Sequence, residues 1–155
     1  MGDVVWERLI YLDANVFIDA YDGEEAVSDP AKSLLAHLRT RPALAVTSEL
    51  SLAEVLADPE AKGDLRRKRA YLDLMVWSRF VTLVPITRDV LYLTAKLRAF
   101  HRPKLKLLDA IHLATASEHR CGIFVSRDEG IQTPLGMRRM RADRDGAHAI
   151  IAALA

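Results

Sequence analysis

Four short apolar runs, three of them ending at a polar residue, recur along the chain. Leu9-Ile10-Tyr11-Leu12 stops at Asp13, and Leu44-Ala45-Val46-Thr47, Val81-Thr82-Leu83-Val84 and Ile123-Phe124-Val125-Ser126 are equally brief. Continuous apolar runs of this length predict strands buried on both faces. Between them, apolar residues recur at helical spacing, most clearly over 31–39, 48–56, 65–80, 89–100 and 108–120. Strands alternating with helices predict an α/β fold with a parallel sheet, because a parallel crossover needs about a dozen residues or more. Asp29-Pro30, Arg41-Pro42, Asp58-Pro59 and Arg102-Pro103 predict helix edges or loops rather than domain linkers. Beyond Asp128 the pattern weakens, to a basic edge strand over 137–141 and a terminal helix over 147–155.

With 155 residues, half of them apolar, the chain suffices for one sizeable core and is short for two, so residues 1–155 are expected to form a single domain. A net charge of +1 makes neither a basic nucleic-acid coat nor an acidic solvating chain, and any basic surface must be local. The single cysteine, Cys121, rules out a disulfide framework or a multi-cysteine zinc cluster and suits a reducing compartment. The N-terminus carries acids where a signal peptide wants bases before an apolar run, and no stretch is long and apolar enough to span a membrane. A soluble, cytoplasmic protein is expected.

Chemistry is expected where the strands end, because open parallel sheets bind ligands beyond their carboxyl edges. Asp13 follows the first strand and Asp128 the fourth, so their carboxylates converge if those strands are neighbours. Glu54 and Asp109 stand in helical segments among apolar and small neighbours, an expensive setting for an unpaired charge. Each acid also has an ordinary structural reading. Asp13 and Asp109 suit helix caps, Glu54 with Ser51 matches a capping box, and Asp128 precedes Gly130 in a potential turn. Taken together, four carboxylates without cations would repel one another. A divalent ion reverses that, and oxygen-only ligands suit Mg²⁺ or Mn²⁺ better than zinc. Phosphodiester hydrolysis is the chemistry such a site best serves.

The order of these motifs resembles the PIN-domain family, and within it the VapC-like ribonuclease toxins of toxin–antitoxin pairs. The likeness runs from Tyr11-Leu12-Asp13-Ala14-Asn15-Val16-Phe17-Ile18-Asp19 through Ser48 and Glu54 to Leu108-Asp109-Ala110-Ile111-His112-Leu113-Ala114-Thr115-Ala116 and Val125-Ser126-Arg127-Asp128. The resemblance implies a three-layer α/β/α fold around four or five parallel strands and Mg²⁺- or Mn²⁺-dependent endoribonuclease activity. It also implies homodimers and inhibition by a cognate antitoxin. By position, Asp13, Glu54, Asp109 and Asp128 are the catalytic and metal-binding acids, with Asn15, Ser48 and Ser126 as supporting polar residues. Two positions depart from the pattern: Ala14 replaces the hydroxyl residue common after the first acid, and Arg127 the asparagine common before the last. Arg127 is expected either to pair with an acid or to hold a substrate phosphate.

RNA affinity must come from local basic groups, and Arg102, Lys104 and Lys106, leading into Asp109, are the best placed. Arg66-Arg67-Lys68-Arg69 reads as a solvated surface. His112, one turn after Asp109, could serve as a metal ligand or proton shuttle, although an ordinary helix residue is the stronger reading, and Cys121 is expected to be a small buried residue. Tyr71, Leu74, Met75, Trp77 and Phe80 make the central helix rich in large apolar groups, most of which should serve the core, and any exposed surplus suits another subunit or an antitoxin helix. A haloacid-dehalogenase-type phosphatase would need Asp at position 15, where Asn15 stands, and a Gly-rich Lys loop is absent. The alternatives kept open are a non-catalytic RNA-binding or scaffolding domain and a metal-dependent DNA nuclease.

Overall fold

The computed structural model describes residues 7–101 and 104–155. Five strands, β1 (Glu7–Leu12), β2 (Ala45–Ser48), β3 (Val81–Val84), β4 (Cys121–Val125) and β5 (Arg138–Met140), form one sheet in the order β3-β2-β1-β4-β5. Every neighbouring pair is parallel. The four apolar runs become β1 to β4 with ends shifted by at most two residues, and the basic segment is the edge strand β5, as expected from its arginines.

The helices are α1 (Ala14–Asp22), α2 (Glu25–Arg39), α3 (Leu50–Lys62), α4 (Leu65–Leu72), α5 (Arg88–Phe100), α6 (Leu107–Glu118) and α7 (Arg144–Ala153). They cover both sheet faces, which is why Ile10, Tyr11 and Leu12 are all fully buried. Alternation along β1 sends Ile10 and Leu12 into a core with Val16, Phe17, Leu34, Leu38 and Ile150. Tyr11 goes to the opposite face, against Ala110, Leu113 and Ala116 of α6. The result is a three-layer α/β/α arrangement. Among the described residues, no helix is long and apolar enough to cross a membrane.

Three local expectations are corrected. Pro30 lies inside α2 and Pro59 inside α3, so neither marks a helix edge. A proline removes one backbone bond and crowds the preceding turn, yet each helix runs on because its apolar face is buried, through Ala31 and Leu34 in one case and Val55 and Pro59 in the other. The helix expected over 65–80 ends as α4 at Leu72 and continues as one π-helical turn, Asp73–Trp77. That wider turn buries Met75 while leaving Trp77 58% exposed.

Candidate active site

Asp13 stands at the junction of β1 and α1. Its N–H still donates to the Val125 carbonyl across the sheet at 3.0 Å, while its Oδ1 accepts from the Ala14 N–H at 2.7 Å. The capping role foreseen for Asp13 is therefore present. The carboxylate is 5% exposed, and its second oxygen accepts from Ser126 Oγ at 2.7 Å and Asn15 Nδ2 at 3.2 Å. Ser126 Oγ also accepts from the Asp128 N–H at 3.1 Å, and Arg127 N–H donates to Asn15 Oδ1 at 3.4 Å. Adjacency of β1 and β4 thus joins Asp13, Asn15, Ser126 and the Asp128 loop in one polar knot. Asp128 also closes a turn, its Oδ1 accepting from Gly130 N–H at 2.9 Å.

Asp109 is the third residue of α6, past the cap position, which Lys106 occupies. Burial, and then the negative charges of Asp128 and Asp13, push its carboxyl above the usual range, with His112 and Lys106 pulling the other way. Neighbouring negative charges disfavour ionisation of a carboxyl, and at Asp109 they add to the larger effect of burial. Glu54 lies in the second turn of α3, whose cap position is Glu49, so the anticipated capping box with Ser51 is not formed. Ser51 instead bonds Thr47 at 2.7 Å, and Ser48, fully buried, accepts from Leu50 N–H at 3.1 Å.

Glu54 joins the other acids through a residue that the sequence made look ordinary. His112 is 1% exposed, and its Nε2 lies 2.5 Å from Glu54 Oε1 and 3.6 Å from Asp13 Oδ1. Its Nδ1 meets the Tyr11 hydroxyl at 2.6 Å. Burial, the largest influence, pushes the imidazole down, but the Glu54 hydrogen bond and the charges of Asp13, Glu54 and Asp109 together lift it above its usual range. The available signal was a pair of polar tips, on Tyr11 and His112, in two apolar segments destined for one core: buried polar atoms need partners.

The donor chemistry of Asp13, Asp109 and Asp128 fits a hard divalent cation, since all three offer carboxylate oxygens and Asp109, raised first by burial, is raised further by the charges of the other two. The acids do not form a finished cage. Among the described residues, no group of three or more His, Cys, Asp or Glu side chains is drawn together as a metal-holding cluster, and Glu54 is engaged by His112.

Of the basic residues, Lys104 and Lys106 are exposed beside α6, whereas Arg102 lies outside the described residues. Arg127 is ion-paired with Asp19 of α1, a nearly buried carboxylate that the sequence did not single out. Burial pushes Asp19 up, and the charges of Arg127 and Arg141 and the Arg127 hydrogen bond oppose it. Arg67 is no free surface group either: it pairs with Asp22 at 2.7 Å and Asp58 at 2.6 Å, tying α4 to α1 and α3. Two apolar grooves lie elsewhere. One of about 610 Å³ runs between α2 and α7, and one of about 430 Å³ is lined by α1, α2, α4 and the adjoining π-helical turn. Neither includes any of the four acids.

Solved structures share this architecture. A toxin–antitoxin complex from Klebsiella pneumoniae is similar at 26% identity and TM-score 0.57, over 83% of this chain and 99% of that one. VapC20 of Mycobacterium tuberculosis, a sarcin-ricin-loop-cleaving toxin, is similar at 19% identity and TM-score 0.64, over 77% and 90%. VapBC2 of Rickettsia felis, bound to a promoter DNA fragment, reaches TM-score 0.67 at 12% identity, over 86% and 98%. A comparison with curated proteins finds no match. The PIN domain family model matches residues 10–133, a span that runs from β1 past Asp128 and takes in all four acids, and the chain therefore belongs to the PIN-domain family.

Proposed function

We propose that this protein is a Mg²⁺- or Mn²⁺-dependent endoribonuclease that hydrolyses RNA phosphodiester bonds, acting as the toxin of a toxin–antitoxin pair. The observation that carries the reading is the hydrogen-bonded knot beyond β1 and β4 that ties the Asp13 carboxylate to Ser126, Asn15 and the Asp128 backbone, with Asp109 raised by burial and then by the charges of Asp128 and Asp13. Asp13, Asp109 and Asp128 would hold the cation, with Glu54 as the fourth acid. When bound, such an ion supplies activation of water and stabilisation of the departing oxygen. The chain's own part is positional. Ser126 and Asn15 fix the Asp13 carboxylate by hydrogen bonds, and Ser126 holds the backbone that carries Asp128. Lys104 and Lys106, exposed next to Asp109, would contact substrate phosphates.

The toxin assignment is supported by the likeness to toxin–antitoxin structures, one of them a toxin that cuts the sarcin-ricin loop. A cognate antitoxin is the partner this implies, with a homodimer as the working assembly and the cytoplasm as its compartment. The test is cleavage of single-stranded RNA and, in parallel, DNA with Mg²⁺ or Mn²⁺, for the native chain and Asp13→Asn. Metal-dependent RNA cleavage lost in the variant is expected. Equal behaviour of the two proteins removes the catalytic assignment, and preference for DNA would redirect it to a DNA nuclease.

A further inference from the structure

We propose that His112 is a positioning residue that aims the Glu54 carboxylate into the acidic site from a hydrogen-bonded anchor on the central strand. The inference rests on the metal-site reading above and adds to it a residue outside the acidic constellation.

The protonation of the contact with Glu54 follows from its geometry. Nε2 of His112 is 2.5 Å from Glu54 Oε1. Two lone pairs facing each other at that separation would repel, so a proton lies between them, and a carboxylate accepts while an imidazole Nε2–H donates. At the other end of the ring, Nδ1 is 2.6 Å from the Tyr11 hydroxyl, which also receives the Ser48 N–H at 3.2 Å. Tyr11 has no freedom to follow a moving partner. It is fully buried in β1 and stacked on Phe124 of β4, with ring centroids 5.2 Å apart and planes at 8°. The imidazole is thus held at both nitrogens, and its orientation is inherited from the sheet.

Glu54 needs that support. Its side chain has three rotatable bonds, is 28% exposed and makes its hydrogen bond to His112 from a helix that carries none of the other acids. Without His112, solvent-side rotamers become open to it. With His112, its carboxylate is fixed on the same nitrogen that lies 3.6 Å from Asp13. Outer hydrogen-bond partners of metal-ligating side chains typically change metal affinity or activity by about 10- to 100-fold when removed.

The experiment is direct Mn²⁺ binding by calorimetry to the full chain, for the native protein, Glu54→Gln, Tyr11→Phe, His112→Ala, His112→Gln and His112→Asn. Thermal melts confirm folding, and RNA cleavage is measured alongside. A glutamine amide reaches about as far as Nε2 and can donate to Glu54, whereas the shorter asparagine reaches only as far as Nδ1. We expect about 10- to 100-fold weaker Mn²⁺ binding in His112→Ala and His112→Asn, and recovery in His112→Gln. If His112→Ala does not fold, the Gln and Asn pair decides. Equal binding by Gln and Asn variants, whether both normal or both weak, overturns the positioning role, and the metal site still stands if the native protein binds Mn²⁺ and Glu54→Gln binds it more weakly. A native protein that binds no Mn²⁺ overturns the metal-site reading and this inference with it, a pattern distinct from the first.

Discussion

Removing Arg127 should destabilise the fold more than removing the charge of its partner, although Arg127 is the more exposed of the two. Its side chain is 52% exposed, that of Asp19 10%. In Arg127→Ala the Asp19 carboxylate stays in place, nearly buried and without its guanidinium. In Asp19→Asn the arginine simply hydrates. Unpairing a fully buried charge costs about 3–5 kcal/mol, and exposed pairs contribute about 0–1. Solvent screening of the half-exposed arginine places Arg127→Ala between these limits, at about 2 kcal/mol near pH 7. For a domain of this size that is a fall in Tm of about 4–8 °C. Asp19→Asn should lose less than about 1 kcal/mol, since its amide can still hydrogen-bond.

The pH dependence has a definite sign. Burial holds the folded-state pKa of Asp19 above the ordinary 3.8 despite Arg127 and Arg141, and losing Arg127 raises it further. A folded pKa above the unfolded one means the native state binds more protons between the two, so stability falls as pH rises through that window. The penalty of Arg127→Ala is therefore full at pH 7 and shrinks on acidification as Asp19 takes up its proton. Urea titrations at pH 7 and about pH 5 measure both effects. A loss in Arg127→Ala no greater than in Asp19→Asn at pH 7, or greater in acid than at neutrality, would contradict a buried, unpaired Asp19 charge.

Three further outcomes are expected. Mn²⁺ at about 100 times its dissociation constant should stabilise the native chain by about 2.7 kcal/mol, a Tm rise of about 5–10 °C that chelation reverses. Asp109→Asn should abolish that shift while melting no lower than the native chain without metal, because it removes the carboxyl that burial, Asp128 and Asp13 have raised; a metal response retained in this variant would refute the argument. Gly146→Ala should lower the urea midpoint by the equivalent of about 2 kcal/mol, since a β-carbon there would lie 1.9 Å from the Arg141 carbonyl oxygen. An unchanged midpoint contradicts that.

Patterns that depend on burial were legible in the chain. The brevity of Leu9-Ile10-Tyr11-Leu12 and its counterparts follows from a sheet covered on both faces, and β3 coincides with its apolar run. Bringing the Asp128 loop to Asp13 required only that β1 and β4 be neighbours, as they are. What stayed hidden depends on tertiary context outweighing a local rule. Pro30 breaks no helix because Ser28, two residues earlier, is buried and bonded to the Ala20 carbonyl at 3.0 Å, pinning α2 to α1. The π-helical turn at Asp73–Trp77 shifts the register of an otherwise regular apolar pattern and has no composition cue. Asp19 and Arg127 are 108 positions apart, and nothing in either segment names the other. His112 is the sharpest case, for its importance lies in what faces it from β1 and α3, and helical spacing carries no record of that.

The outer strand Arg138–Met140 has a consequence for self-association. Three residues offer a newcomer very few backbone groups to pair with, and two of the three carry guanidinium groups. A second molecule aligning there would bring like charges face to face across the new ladder, an unfavourable template for strand addition. Sheet extension past that border is therefore disfavoured, which leaves β3 as the other edge of the sheet.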